Sequence, residues 1–255
     1  MAGVCRAFAR NLVLGRDSNT MDARKKTKRS KHRPFGLEIL YEDDDIIVVD
    51  KMAGLLTEET RKRESRTAEN VLNDYVRKGC YRSSRRVWLV HRLDRDTSGV
   101  LLFAKSEEAR DVLQENWPDV VKVYLAVVWG HLKEPSGVLT GYLYEDDAFF
   151  VHQTQNERDG KFARTDYEVL GEKDGMTLVR IRLHTGRKNQ IRVQFAAIGH
   201  PVVGDAKYGR HAKPFRERLC LHAKSISFSH PGTGKRLFFE TPAPPVFNRL
   251  FPDQA

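Results

Sequence analysis

Short apolar runs of strand length, separated by polar turns, recur along the chain from Pro34 to its end. LEILY and DIIVVDK come first, split by the acidic turn Glu42-Asp43-Asp44-Asp45, a pattern that predicts a hairpin. TAENVLNDYVRKG then places Ala68, Val71, Leu72, Tyr75 and Val76 at helical spacing, with Thr67 as N-cap and Gly79 beyond the end. WLVH and VLLFAK read as strands flanking a polar connection, HRLDRDTSG. Ser106 caps a second helix with Glu107 and Glu108 in its first turn and an apolar stripe of Ala109, Val112, Leu113 and Trp117. VVKVYLAVVWG predicts a mostly buried strand. Two later hairpins pair ARTDYEVL with TLVRIRLH across Asp174-Gly175, and KSISFSH with RLFFET across Gly232-Thr233-Gly234. Between them NQIRVQFAAIG reads as a short helix ending at Gly199. Strands outnumber helices and most neighbours are hairpin-linked, which predicts an α+β fold with a largely antiparallel sheet.

Composition narrows the class. The 255 residues suit one large domain or two small lobes. With 40% hydrophobic residues and no apolar run near 18, no transmembrane helix is expected. The net charge of +10 points to an acidic partner, nucleic acid ahead of membrane, but it is unevenly spread. Residues 1–33 carry ten Lys/Arg against two acids, or +8, and the remaining residues 34 against 32, or +2. Residues 15–33 have no aromatics and no β-branched apolar residues, so 1–33 is read as a disordered basic tail and 34–255 as the folded domain. The acid-free stretch before Asp17 fits a transit-type leader for an organelle, or an upstream start with Met21 as the first residue. Cys5, Cys80 and Cys220 are odd in number and widely spaced, which argues for a reducing, cytoplasmic setting and against a disulfide framework or a zinc site.

The polar connection His91–Gly99 lies between two apolar strands, a loop on a rigid scaffold. Residues 77–95 hold seven Arg/Lys and a single acid, Asp94, the setting an anionic substrate's nucleophile or base needs. Taken alone, such a loop is more often a turn whose aspartates accept local hydrogen bonds. A second basic run spans 180–192, with Lys188 and Arg192 expected on one helix face; singly it reads as a solvated surface. Tyr124 and Lys51 are unremarkable singly, a strand tyrosine in the core and a lysine at a strand end.

Their joint order changes the odds. IIVVDKMAGLLT, HRLDRDTSGVLLFAK, KVYLAVVWG, LHTGRKNQIRVQFAAIGHPVVGDAKYG and LCLHAKSISFSHP resemble, in order and spacing over residues 37–245, the motifs of the RluA-type pseudouridine synthases. The resemblance implies the pseudouridine synthase fold: a mixed, mostly antiparallel central sheet with flanking helices and a catalytic cleft between two lobes. It implies Asp94 as catalytic aspartate and Tyr124 as the aromatic stacked on the base. Arg192 would be the cation beside the aspartate, and Arg92 the arginine that enters the helix space left by the flipped uridine. His91, Arg95, Arg187 and Lys188 join Arg92 as expected RNA contacts. No cofactor and no metal are implied; the partner is rRNA or tRNA, with no membrane, and the protein acts as a monomer. Flipping a base costs a few kcal/mol, which a wedge and a stacking ring offset.

Met52 stands where the family usually has Pro, and Asn189 and Gln194 replace usual histidines, which bears on substrate choice or local packing. The family's optional N-terminal S4 RNA-binding domain is not expected. Two other classes compete: a catalytically silent RNA-binding or ribosome-assembly protein of the same fold, and an Asp-dependent hydrolase of nucleoside or glycoside bonds. The hydrolase would need a second carboxylate. Asp96 is the nearest in sequence, and in an extended loop it would point to the opposite side from Asp94.

Overall fold

The computed structural model describes residues 33–59, 66–78, 80, 82–209, 215, 217–252 and 254. Nearly all of the basic tail, and Gly79, lie outside these residues. β1 (Leu37–Glu42) and β2 (Ile46–Lys51) form the first expected hairpin. α1 (Ala68–Arg77) starts at Thr67, whose side chain accepts from the Asn70 amide, and ends with Lys78 itself in the left-handed region at φ 50°. β3 (Trp88–Leu89) is only two residues long, and β4 (Ser98–Ala104) is buried throughout. α2 (Glu107–Glu115) is capped by Ser106 as the sequence predicts. Its apolar stripe is narrower than expected. Val112 is 38% exposed, and Trp117 belongs to the 3-10 turn Trp117–Asp119 that follows.

β5 (Val121–Trp129) is central, and β8 (Lys161–Lys173) and β9 (Met176–Leu183) form the second hairpin. Asp174 and Gly175 both take positive φ, the backbone an Asp-Gly turn supplies. α3 (Gln190–Ala197), β10 (Leu221–Ser229), β11 (Arg236–Glu240) and α4 (Pro245–Leu250) complete the chain order. The sequence pattern did not reveal the hairpin of β6 (Ser136–Glu145) and β7 (Val151–Thr154). Gly137 and Gly141 interrupt the apolar alternation of β6, and Val138 faces solvent at 49% exposure.

All described strands join one sheet in the order β1-β2-β4-β10-β5-β9-β8-β6-β7, with β3 added to β4 and β11 to β10. Period-two alternation sorts the core to its two faces. Leu101 and Phe103 of β4 and Tyr124 and Ala126 of β5 pack with Leu72 of α1 and Ile191 and Phe195 of α3. On the other face Val100 and Leu102 meet Ala109 and Leu113 of α2, while Leu125 and Val127 meet Val246 and Phe247 of α4. Each of the larger side chains, Val, Leu, Ile or Phe, contributes about 1.5–3 kcal/mol when so buried.

One pairing differs from the rest. β4 and β10 run parallel and touch at only two pairs, Ser98 with His222 and Gly99 with Ala223. This seam divides the sheet, and the polar loop 91–97 enters β4 there. The Ser98 hydroxyl and His222 Nδ1 are 2.8 Å apart, and His222 Nε2 lies 2.9 Å from the Thr241 hydroxyl. Burial, helped by the Arg218 charge, pulls the His222 imidazole down to about 3, so it stays neutral. Gly99 has φ +115°, and a Cβ there would lie 2.2 Å from the Ala223 carbonyl oxygen. Only glycine allows the strands to approach this closely. Gly99→Ala should therefore cost at least about 2 kcal/mol of stability. Urea unfolding checks this, and a midpoint equal to the wild type would refute the steric account.

Candidate active site

The site is built around the Arg192 guanidinium. α3 begins at Gln190 and Arg192 lies in its first turn. Its Nε and Nη2 donate to both oxygens of Asp205 at 2.8 and 2.9 Å, a two-pronged ion pair with a carboxylate whose side chain has no exposure. Nη1 donates to Asn189 Oδ1 at 2.9 Å and to Asp94 Oδ2 at 3.3 Å. The Tyr208 ring covers the guanidinium carbon at 5.2 Å. Burial alone would raise the Asp205 carboxyl, but the Arg192 bonds and the Lys207 and Tyr208 amides hold it below the usual carboxylate range. Burial opposes the charge on Arg192 as well, and Asp205 and Asp94 more than offset it.

Asp94 reaches this cation from the loop before β4 and keeps 28% of its side chain exposed. Tyr124, on the central strand, is 8% exposed. Burial and then the Asp94 charge push its phenol up, so it remains a neutral hydroxyl. Asp94 is thus near both Arg192, which donates to it, and Tyr124, which feels its charge.

The loop is fastened from below. Lys51 is fully buried at the end of β2, and its Nζ donates to the carbonyls of Met52, Leu55 and Arg95 at 3.0, 2.8 and 3.1 Å. Thr57 Oγ1 donates to the Leu93 carbonyl and accepts from the Leu93 amide. Burial brings the Lys51 ammonium down to about 8, against the pull of Asp96 and Asp94. Asp96 departs from the extended-loop expectation. The Thr97 amide closes a turn on the Asp94 carbonyl, and Asp96 lines the same cleft as Arg192. That cleft, of about 630 Å³, is walled by Gly54, Asp96, Arg192, Lys207 and Arg218 among others, a size suited to a small organic group such as a nucleotide.

The expected RNA contacts divide. Arg92 points outward at 61% side-chain exposure, paired with Glu58 at 2.5 Å. Arg95 is exposed beside the cleft and donates from Nε to the Gly54 carbonyl. Arg187 is exposed and donates to the Phe162 carbonyl at 3.0 Å. His91 is half-buried. Its Nε2 accepts from the Leu102 amide at 3.1 Å and its ring packs on Trp117, on the α2 face of the sheet. Burial, with Lys122 nearby, brings it down to about 3. Lys188 and Arg192 do not share a helix face. Lys188 precedes α3 and pairs with Glu145, while Arg192 turns inward. The 180–192 run is also less positive than it reads, because the β8–β9 pairing brings Glu168 to Arg180 and Asp166 to His184.

Sequence reasoning assigned no role to Lys51, Asp205 or Tyr208. Asp205 had a signal: a lone carboxylate in a glycine-bounded turn downstream of a basic helix start. Of the replacements for the usual histidines, Asn189 braces Arg192 and Tyr208 while Gln194 serves packing. Asn189 adopts φ 54°, which asparagine tolerates, and donates to the Tyr208 hydroxyl at 3.0 Å. Gln194 is 1% exposed, accepts from Thr165 and donates to the Leu139 carbonyl. Among the described residues no group of three or more His, Cys, Asp or Glu forms a metal donor set.

Known proteins resemble this chain in sequence and in fold. The profile of a family described as RNA pseudouridylate synthase matches residues 45–197. A Yersinia pestis protein named dual-specificity RNA pseudouridine synthase RluA is 35% identical over 80% of this chain and 98% of its own length. A Bacillus subtilis protein named uncharacterized RNA pseudouridine synthase YjbO is 34% identical over 85% of this chain and 76% of its own. The solved structure of human RNA pseudouridylate synthase domain containing 1 aligns with TM-score 0.67 at 26% identity, covering 89% of this chain and 90% of that one.

The Lys51 site yields a pH signature. Its folded value, about 8, lies below the unfolded 10.5, so between these the unfolded chain binds more protons and stability rises with pH. The contribution is up to about 1.4 kcal/mol per pH unit. Lys51→Met should lack that rise. Subtracting the two stability–pH curves checks this, and parallel curves from pH 8 to 10.5 would refute the buried charge.

Proposed function

Because the chain belongs to the RNA pseudouridylate synthase family and its relatives include RluA-type enzymes, we propose that it isomerises uridine in rRNA or tRNA to pseudouridine at Asp94. The observation that carries this reading is the single guanidinium of Arg192, locked by Asp205 and still donating to Asp94. The reaction breaks the bond between the ribose C1′ and uracil N1, turns the ring, and joins C1′ to C5, whose proton is lost. A partly exposed carboxylate beside a fixed cation serves as the nucleophile or base that starts this sequence. Tyr124, close enough to Asp94 to feel its charge, offers a neutral, rigid ring for the extruded base. Arg92 stands at the rim with a pairing to Glu58 that solvent weakens, so exchanging that partner for RNA costs little. Base flipping costs a few kcal/mol, and these two contacts offset it. Two free thiols among the described residues, Cys80 and Cys220, support extending the reading to a reducing compartment such as the cytoplasm.

The experiment is tritium release from RNA labelled at uridine C5, with rRNA and tRNA fractions assayed separately. The wild type should release tritium without free uracil. Asp94→Asn should lose release by about a thousandfold or more while keeping RNA affinity within about threefold. Turnover retained by Asp94→Asn would overturn the assignment. Binding without release by the wild type would favour the silent RNA-binding reading, and free uracil the hydrolase.

A further inference from the structure

Phe149 is 61% exposed, more than any other large apolar side chain among the described residues. It sits at the tip of the β6–β7 hairpin with φ +61°, a region that bulky residues rarely occupy. Holding it there costs stability. The tip is built to meet that cost. Asp146 Oδ1 accepts from the Ala148 and Phe150 amides at 3.0 and 2.8 Å, and the Phe149 amide donates to the Asp146 carbonyl at 2.9 Å. The fold therefore gives up stability to present an aromatic ring to solvent.

The ring has a cationic setting. Lys188 Nζ lies 5.6 Å from its centroid, and Lys207 Nζ donates to the Phe149 carbonyl at 2.6 Å. Of the three acids of the tip, Glu145 pairs with Lys188 and Asp146 with His152 at 2.7 Å, while Asp147 is exposed. Lys207 also ties the tip to the site. It lines the cleft, its amide donates to Asp205 Oδ1 at 2.9 Å, and its neighbour Tyr208 covers Arg192. An exposed ring flanked by lysines suits a ligand with a flat π face and negative charges beside it. A greasy protein surface would call for a wider apolar patch.

We propose that Phe149 is a base-stacking residue, on which a nucleobase flanking the reacting uridine lies at the rim of the cleft while Lys188 and Lys207 meet the adjoining phosphates. This rests on the RNA function proposed for the Asp94 site and adds to it a second contact point, separate from Arg92. The contact sets which RNA is held, not the chemistry at Asp94.

The test is fluorescence anisotropy with a fluorescein-labelled, uridine-rich RNA hairpin, titrated at several KCl concentrations. Phe149→Asn removes the ring while tolerating positive φ, so the hairpin tip keeps its backbone. Its affinity should fall about tenfold. The slope of log affinity against log salt should not change, because stacking releases no counterions. Phe149→Trp should bind at least as tightly as the wild type, and Phe149→Leu as weakly as Phe149→Asn. Wild-type affinity in Phe149→Asn or Phe149→Leu, or a loss that comes with a shallower salt slope, would overturn the stacking role alone. A wild-type protein that binds no RNA would overturn the functional reading and this proposal with it.

Discussion

A buried guanidinium must have every charged edge answered, and at Arg192 that requirement organises the neighbourhood. Asp205, wholly out of solvent, takes two of its donors, and Asn189 shares a third with Asp94. Removing Asp205 would leave the buried cation without its closest counter-charge, so the arrangement tolerates little drift. The two strong bonds fix the direction of the cation. The longer 3.3 Å contact leaves Asp94 oriented without saturating it. The order of elements follows from this demand. The turn after α3 must return to place Asp205, and residue 189 must bend into the left-handed region to bring its amide back to Arg192.

The same logic runs through the loop that carries Asp94. Lys51 holds it through the Arg95 carbonyl, Thr57 through both backbone polar groups of Leu93, and Ser98 through His222. Lys51, Thr57, Ser98 and His222 stand behind the cleft rather than among the residues that wall it. They convert a polar connection, by composition a mobile one, into a fixed support. Burying an ammonium to do so is costly, and three carbonyl acceptors match its three donors.

The elements that could be read from the chain are those in which the signal is local. Asp174-Gly175 specifies its turn by backbone preference, and Thr67 and Ser106 cap their helices through hydrogen bonds three residues long. Asp94 was legible because it is a lone acid in a cationic stretch, and Tyr124 and Arg192 only through the joint order of motifs. What the sequence misrepresents is direction. His91 and Arg92 are neighbours, yet one is packed on Trp117 and the other faces solvent. Lys188 and Arg192 have the spacing of a shared face, but the helix begins between them. Lys51, Asp205 and Tyr208 stayed silent because their meaning lies in partners far along the chain. The β6–β7 hairpin was missed where glycines dilute the apolar alternation.

The parallel seam has a consequence for how the molecule comes into being. Ser98 and His222 are 124 positions apart, and they meet where two strands share only two residue pairs. Closing so long a loop for so few hydrogen bonds is entropically unrewarding until the antiparallel strands beside it are in place. During synthesis the amino-terminal half emerges with β4 lacking its neighbour, and the Asp94 loop has no anchor at Ser98 until β10 arrives. Competence is therefore acquired late and all at once, when the far end of the chain docks. A nascent or truncated copy holds the aspartate but not the frame that aims it.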